Sequence, residues 1–180
     1  MHNLARLLAA ISYSAAQHRA QRRKGVEGSP YVNHPIDVAN ELAGVGGVDD
    51  VEILMAAVLH DTVEDTGTLP AELEQRFGTA VRRLVAEVTD DKALPKAERK
   101  RLQIEHTASM SRGAKLIKLG DKICNVREVL HDPPADWAAA RKREYLDWAA
   151  AVVAGCRGTN APLERTFDEL VERGRARFER

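Results

Sequence analysis

Apolar residues recur at intervals of three and four along almost the whole 180-residue chain, whereas alternating runs and Asn-Gly hairpin turns are absent. That periodicity builds one hydrophobic stripe on a 3.6-residue helix and gives a strand no buried face, so it predicts an all-α fold. Helices are expected over residues 3–23, 34–44, 49–64, 70–76, 79–88, 95–109, 113–129, 134–154 and 162–177. The breaks between them fall at Gly25, Gly28 to Pro30, Gly44 to Gly47, Thr66 to Pro70, Gly78, Pro95, Gly113, Pro133 and Pro134, and Gly158 to Pro162. Leu4, Leu7, Leu8 and Ile11 follow helical spacing and predict a core-facing first helix. "GVGG" at 44–47 lacks the preceding strand and the spacing of a phosphate-cradling loop and reads as a helix exit.

Length changes this picture only by bounding it: 180 residues suit one compact domain over 1–180 and are too few for two ordinary ones. Charge narrows the function. Lys plus Arg and Asp plus Glu stand at 27 each, so no overall field draws the chain to nucleic acid or to an anionic membrane. With no uncharged apolar run of membrane-spanning length, no membrane partner is expected. Cys124 and Cys156 cannot build a disulfide framework or a zinc knuckle, which fits buried thiols in a reducing cytoplasm.

The chemistry concentrates where the apolar run "ILMAAVL" ends in "HDTVEDT", residues 60–66. His60 and Asp61 offer an imidazole and a carboxylate to neighbouring coordination positions of a divalent transition ion. Glu64 and Asp65 follow four residues after each, on one edge of the expected helix and about 6 Å along its axis. Such an acidic pair could orient a metal-activated water or accept its proton. "YVNHPID" supplies His34 at a helix opening, where Pro35 is tolerated. "LIKLGDKICNV" sets Asp121 into an apolar stripe, and an unpartnered aspartate there would carry a heavy desolvation cost that a metal removes. His2, His18, His106 and His131 lack this context and read as surface or supporting histidines. The ligand supply suits one ion rather than two.

"QRRK", "GSPYVNHPIDVA", "AAVLHDTVEDT", "EVTDDK" and "KLIKLGDKICNV" together resemble the hydrolase domain of RelA/SpoT-type alarmone enzymes, an HD-domain phosphohydrolase bundle. The likeness runs from about residue 5 to about residue 175 and is nearest the small stand-alone hydrolases of that group, so a degradation-only enzyme is expected. It implies removal of the 3′-pyrophosphate of guanosine tetra- and pentaphosphate with Mn2+ as cofactor; animal relatives are also linked to the 2′-phosphate of NADPH. Carried over by position, it implies metal ligands at His34, His60, Asp61 and Asp121 and a catalytic acidic pair at Glu64 and Asp65. It implies a sugar- or phosphate-facing Asn125, nucleotide contacts at Arg23 and Lys24, and a pocket wall with Arg141 and Tyr145. Gly120, where a small Ala is usual, and "ICNV" depart from the family pattern.

Four phosphates on a small substrate need local positive charge, which Arg is suited to meet bidentately and Lys as a point charge. Lys92 and Lys96 are candidates alongside Arg23 and Lys24, whereas Arg19, Arg99 and Arg101 read as a solvated face. Tyr31 divides between wall and pocket; Tyr145 and Trp148, three apart, suit packing or base stacking. Two readings compete: a phosphatase of NADPH or another ribose-phosphate nucleotide, and a nucleotide sensor without catalysis. "PAELEQRFGTAVRRLVAEV" scans as a helix-turn-helix, but a neutral chain lacks the phosphate contacts on which DNA affinity rests.

Overall fold

The computed structural model describes residues 2–179; Met1 and Arg180, the ends of the span assigned to one domain, lie outside the described residues. Among them are ten helices and no strand: α1 (Asn3–Gln17), α2 (Asn33–Gly44), α3 (Val51–Leu59), α4 (Thr62–Asp65), α5 (Pro70–Phe77), α6 (Thr79–Val88), α7 (Lys96–Thr107), α8 (Arg112–His131), α9 (Ala139–Ala154) and α10 (Ala161–Phe178). The all-α expectation holds. Cys124 and Cys156 are both buried and free. No helix among the described residues is long and apolar enough to cross a membrane.

Two helices form the interior. Every residue of α3 from Ile53 to Leu59 is buried, and α8 is buried on nearly all sides, the pattern of helices surrounded by others. α1, α2 and α6 pack on α3, and α2, α6, α9 and α10 pack on α8. Side-chain caps set the starts: Asp50 accepts from the N–H groups of Glu52 and Ile53, Ser111 from Ala114, and Asn160 from Leu163, each satisfying a donor that the helix itself cannot. The helix-turn-helix-like segment is α5 and α6 joined at Gly78, with Leu73, Val81, Val85 and Val88 buried.

Four expectations are corrected. Leu7 and Ile11 pack against the core as expected, but Leu4 and Leu8 are 60% and 53% exposed and do not face it; the buried residues of α1 are Ala10 and Ser14. The first helix ends at Gln17 rather than 23. Residues 18–32 form a pinched loop in which Arg23 N–H donates to Ser29 O and Tyr31 N–H to Gln21 O, and Asp132 Oδ1 accepts the N–H of Val26 at 2.7 Å. Gly28 turns this loop with φ +57°, a conformation easy only for glycine. The expected helix 49–64 is broken at His60 and Asp61. Thr62 Oγ1 donates to Leu59 O at 2.7 Å and His60 Nδ1 lies 2.8 Å from Ala57 O, so side chains compete with the backbone ladder where it stops. Finally, α9 starts at Ala139 because Pro133 and Pro134 hold residues 134–138 in a turn.

One close approach positions the site. A Cβ on Gly120 would lie 3.0 Å from Leu42 Cδ2 and 3.2 Å from Val38 Cγ1, so the bare glycine lets α2 and α8 meet where His34 and Asp121 face each other. Gly120→Val should therefore cost about 1–3 kcal/mol by overpacking, seen as a lower urea midpoint at unchanged slope. An unaltered midpoint would show that the crossing has slack.

Candidate functional site

Three separated pieces of chain deliver the central cluster: the first turn of α2 with His34, the break between α3 and α4 with His60 and Asp61, and the middle of α8 with Asp121. One ligand atom from each of His34, His60 and Asp121 lies within 4.8 Å of the other two. His34 Nε2 is 3.1 Å from Asp121 Oδ1 and 3.8 Å from Asp61 Oδ2; His60 Nε2 is 3.1 Å from Asp61 Oδ2 and 3.8 Å from Asp121 Oδ1. All four predicted ligands thus converge, although His60 and Asp61 come from a helix break rather than from an unbroken helix edge.

The donor set passes a chemical test for a divalent cation. His60 Nδ1 is turned to the carbonyl of Ala57, which leaves Nε2 facing the cluster, buried and out of line for a hydrogen bond to any neighbour. An imidazole fixed through one nitrogen with the other directed at carboxylates is the arrangement metal ligands adopt. Burial opposes charge on both histidines. It pushes the His34 imidazole down, while at His60 the Asp61 carboxylate outweighs it and lifts the imidazole to about 9. Burial alone would raise Asp61 and Asp121, but the His60 charge holds the first below the usual carboxylate range and Lys122 holds the second well below it.

Supporting contacts fix the cluster. Tyr31 Oη donates to Asp61 Oδ2 at 2.6 Å; burial, then the Asp61 charge, pushes its phenol far up, so it stays a donor. Tyr31 therefore also holds a carboxylate in place, beyond the wall-or-pocket choice the sequence left open. Asn125 donates Nδ2 to Asp121 Oδ1 at 2.5 Å and accepts from Arg23 Nη2 at 2.9 Å. Lys122 Nζ sits 3.1 Å from Asp121 Oδ2 and 4.4 Å above the Trp148 ring.

Tyr31, Lys122 and Asn125, which bond the cluster's carboxylates on one side, line on the other a cleft of about 590 Å³. Its walls bring together Arg23, Lys24, Tyr31, Glu64, Asp65 and Asn125 with Lys92, Lys96, Arg141 and Tyr145, so every residue expected to act on or bind a substrate lies at one place. Arg23 also donates Nε to Glu128 Oε1 at 2.8 Å. Asp65 accepts from Gln21 Nε2 at 2.9 Å and pairs with Lys92. Burial raises the Glu64 carboxyl, and the charges of Asp90 and Asp61 add to it. At the far wall Tyr145 lies between Trp137 and Trp148, with ring centroids 5.5 and 5.4 Å away. Burial, then Arg141 and Lys24, lowers Lys96, the sign of a crowded cationic rim.

Several residues escaped the sequence reading. Arg99, read there as solvated, points into the cleft with its side chain 26% exposed and lies 3.8 Å from Glu64. Gln21, Lys100, Gln103, Lys122 and Trp148 line the cleft too. His18 is buried, its Nδ1 2.7 Å from Gln21 Oε1 and its ring 5.0 Å from that of Tyr31, a supporting histidine as expected.

An all-helical bundle whose paired His-Asp break meets a histidine and an aspartate from other helices defines an HD-domain protein. The HD domain family model matches residues 10–155, and the chain belongs to that family. More narrowly, the chain is 54% identical over 166 residues to the human guanosine-3′,5′-bis(diphosphate) 3′-pyrophosphohydrolase MESH1, covering 92% of this chain and 93% of that one. It is 48% identical over 166 residues to the Drosophila melanogaster protein of the same name, covering 92% and 93%. A solved metazoan orthologue of SpoT, described as hydrolysing ppGpp, superposes with a TM-score of 0.91 at 47% identity, covering 94% of this chain and 95% of that one.

Uptake of a divalent ion must displace the proton that His60 holds up to about 9. Affinity for Mn2+ should therefore rise with pH over that range, and calorimetry should detect released protons. Asp121→Asn should weaken binding beyond the about 100-fold that loss of a supporting residue costs, with the far-UV helical signal kept. Unchanged binding would remove Asp121 from the ligand set.

Proposed function

We propose that the protein is a Mn2+-dependent hydrolase that cleaves the 3′-pyrophosphate from guanosine tetra- and pentaphosphate. The products are GDP or GTP and intact pyrophosphate. The observation that carries this reading is that Tyr31, Lys122 and Asn125, which hydrogen-bond the carboxylates of the buried His34, His60, Asp61 and Asp121 cluster, also line a cleft in which nine cationic side chains outnumber four carboxylates. Near-full-length likeness to pyrophosphohydrolases acting on that nucleotide supports the choice of substrate.

In this reading His34, His60, Asp61 and Asp121 would hold one divalent ion, which when bound would supply the charge that acidifies a water and polarises a phosphoryl oxygen. Glu64, raised by burial and its acidic neighbours, accepts the proton as the water attacks the phosphorus on the 3′ oxygen. Asp65, held by Gln21, orients that water. The 3′ oxygen leaves on the nucleotide, so water adds across one phosphoester bond. Arg23 and Lys24 contact the nucleotide and its phosphates, and Asn125 ties the Arg23 contact to the Asp121 carboxylate. Lys92, Lys96 and Arg141 balance the remaining phosphates; Tyr145 offers a face for the base. A complete set of ligands and acids disfavours a sensor without catalysis.

Purified protein with Mn2+ should release pyrophosphate from guanosine tetraphosphate and lose that activity in chelator. Release of orthophosphate alone would overturn the reading, and faster orthophosphate release from NADPH in a parallel assay would favour the ribose-phosphate alternative.

A further inference from the structure

Glu64 is not oriented by α4 alone. Its Oε2 accepts the backbone N–H of Asp90 at 3.0 Å, from the loop that leaves α6. Arg99 Nη1 on α7 stands 3.8 Å from Glu64 Oε1 and 4.0 Å from Asp90 Oδ2. One turn further along α7, Gln103 Nε2 donates to Asp90 Oδ2 at 2.6 Å. Behind the loop, the buried Lys118 of α8 donates Nζ to the carbonyl of Val88, the last residue of α6, at 3.1 Å. The path into Asp90 is thereby tied to the helix that carries Asp121.

α7 has no hydrophobic reason to lie here, since Thr107 is its one buried residue. Trp148 anchors it from α9, donating Nε1 to Lys100 O at 3.1 Å. The groups facing Glu64 are Asp61 and Asp65 on its own segment, Asp90 from the α6 exit and Arg99 from α7. Arg99 thus brings a cation to 3.8 Å from a carboxylate that the charges of Asp90, Asp61 and Asp65 all raise.

We propose that Asp90, Arg99 and Gln103 are positioning residues for Glu64: Gln103 clamps Asp90 so that its N–H aims the Glu64 carboxylate, and Arg99 balances the two acids. Arg99 stands beyond hydrogen-bond distance, so it acts on Glu64 as a charge, while the Asp90 N–H acts as the clamp. The proposal rests on the reading of Glu64 as proton acceptor, and it extends the "EVTDDK" motif from a family marker to a working part of the site.

Three variants of the full chain test it: Arg99→Met, Arg99→Lys and Gln103→Leu, each checked for native helical signal. Two readouts apply, pyrophosphate release across pH and the titration of the Glu64 carboxyl carbon by NMR on glutamate-labelled protein, assigned by its loss in Glu64→Gln. Arg99→Met should lower kcat about tenfold or more, within the range of a lost acid–base contribution, while KM stays within about twofold. Its acidic limb and the Glu64 titration should both move to higher pH, because removing a cation favours the protonated acid. Arg99→Lys should restore both and recover most of kcat. Gln103→Leu should lower kcat with the limb in place. An unmoved Glu64 titration in Arg99→Met would overturn the proposal, as would a raised KM at intact kcat, which would mark Arg99 as a substrate contact. No pyrophosphate from the unaltered protein would sink the proposed reaction, yet the carboxyl titration would still decide the positioning claim.

Discussion

Two imidazoles and two carboxylates packed into an all-helical interior form an arrangement that burial opposes, and the rest of the molecule is built around making it tolerable. Each group would be better hydrated outside, and an unpaired charge at such depth is among the costliest features a fold can contain. Here each carboxylate is answered by near neighbours and by one group from another segment: Asp61 by His60 and, across the fold, Tyr31; Asp121 by Lys122 and Asn125 and, across the fold, His34. The answer is incomplete at His60 Nε2, which remains without a hydrogen bond. Other buried polar atoms also lack a partner, Ser14 Oγ and Glu41 Oε1 among them, but His60 Nε2 is the one that faces two carboxylates, and a divalent cation would complete that set.

That requirement explains the fold's local irregularities. An unbroken helix through residues 49–64 would continue its backbone ladder past His60; the break at His60 and Asp61 instead lets the His60 and Thr62 side chains take the carbonyls of Ala57 and Leu59. The bare α-carbon of Gly120 draws α2 against α8 at the same level. The pinched loop after α1 replaces two turns of expected helix and brings Arg23 back across to Asn125 and Glu128. Irregular backbone thus sits where function needs a side chain aimed, and regular helix supplies the apolar scaffold that holds it.

This division also explains what the sequence disclosed. The candidates His60, Asp61 and Asp121 were readable because polar residues beside or inside apolar stripes break a strong pattern, Asp121 among Leu116, Leu119 and Ile123 most clearly, whereas the roles expected of His34, Glu64 and Asp65 leaned on the resemblance to a known family. The all-α class followed from the same periodicity. Leu4 and Leu8 were misplaced because helical spacing identifies a stripe without saying which surface it meets. Arg99 was misplaced for the opposite reason: on a polar helix no stripe distinguishes a cation over a cleft from one in water. The helix break and the loop at residues 18–32 depend on side-chain bonds to carbonyls and on Asp132 from the far end of α8, partners that local pattern cannot supply.

Charge is where local and global readings part. The chain as a whole is neutral, yet the cleft gathers cations that are mostly spoken for: Arg23 by Glu128, Lys92 by Asp65, Lys122 by Asp121. Such pairs hold long side chains in fixed places, so less rotamer freedom is lost when an anionic ligand arrives than flexible lysines would forfeit. Among the described residues Lys96 and Lys100 make no ion pair with a carboxylate, and burial, then Arg141, lowers both. An incoming phosphate therefore meets preset guanidinium and amide donors near the cluster and relieves repulsion among unpaired cations farther out. Beyond about 8 Å at physiological salt that field is screened, so a neutral protein can keep a strongly cationic pocket while showing little of that charge at a distance.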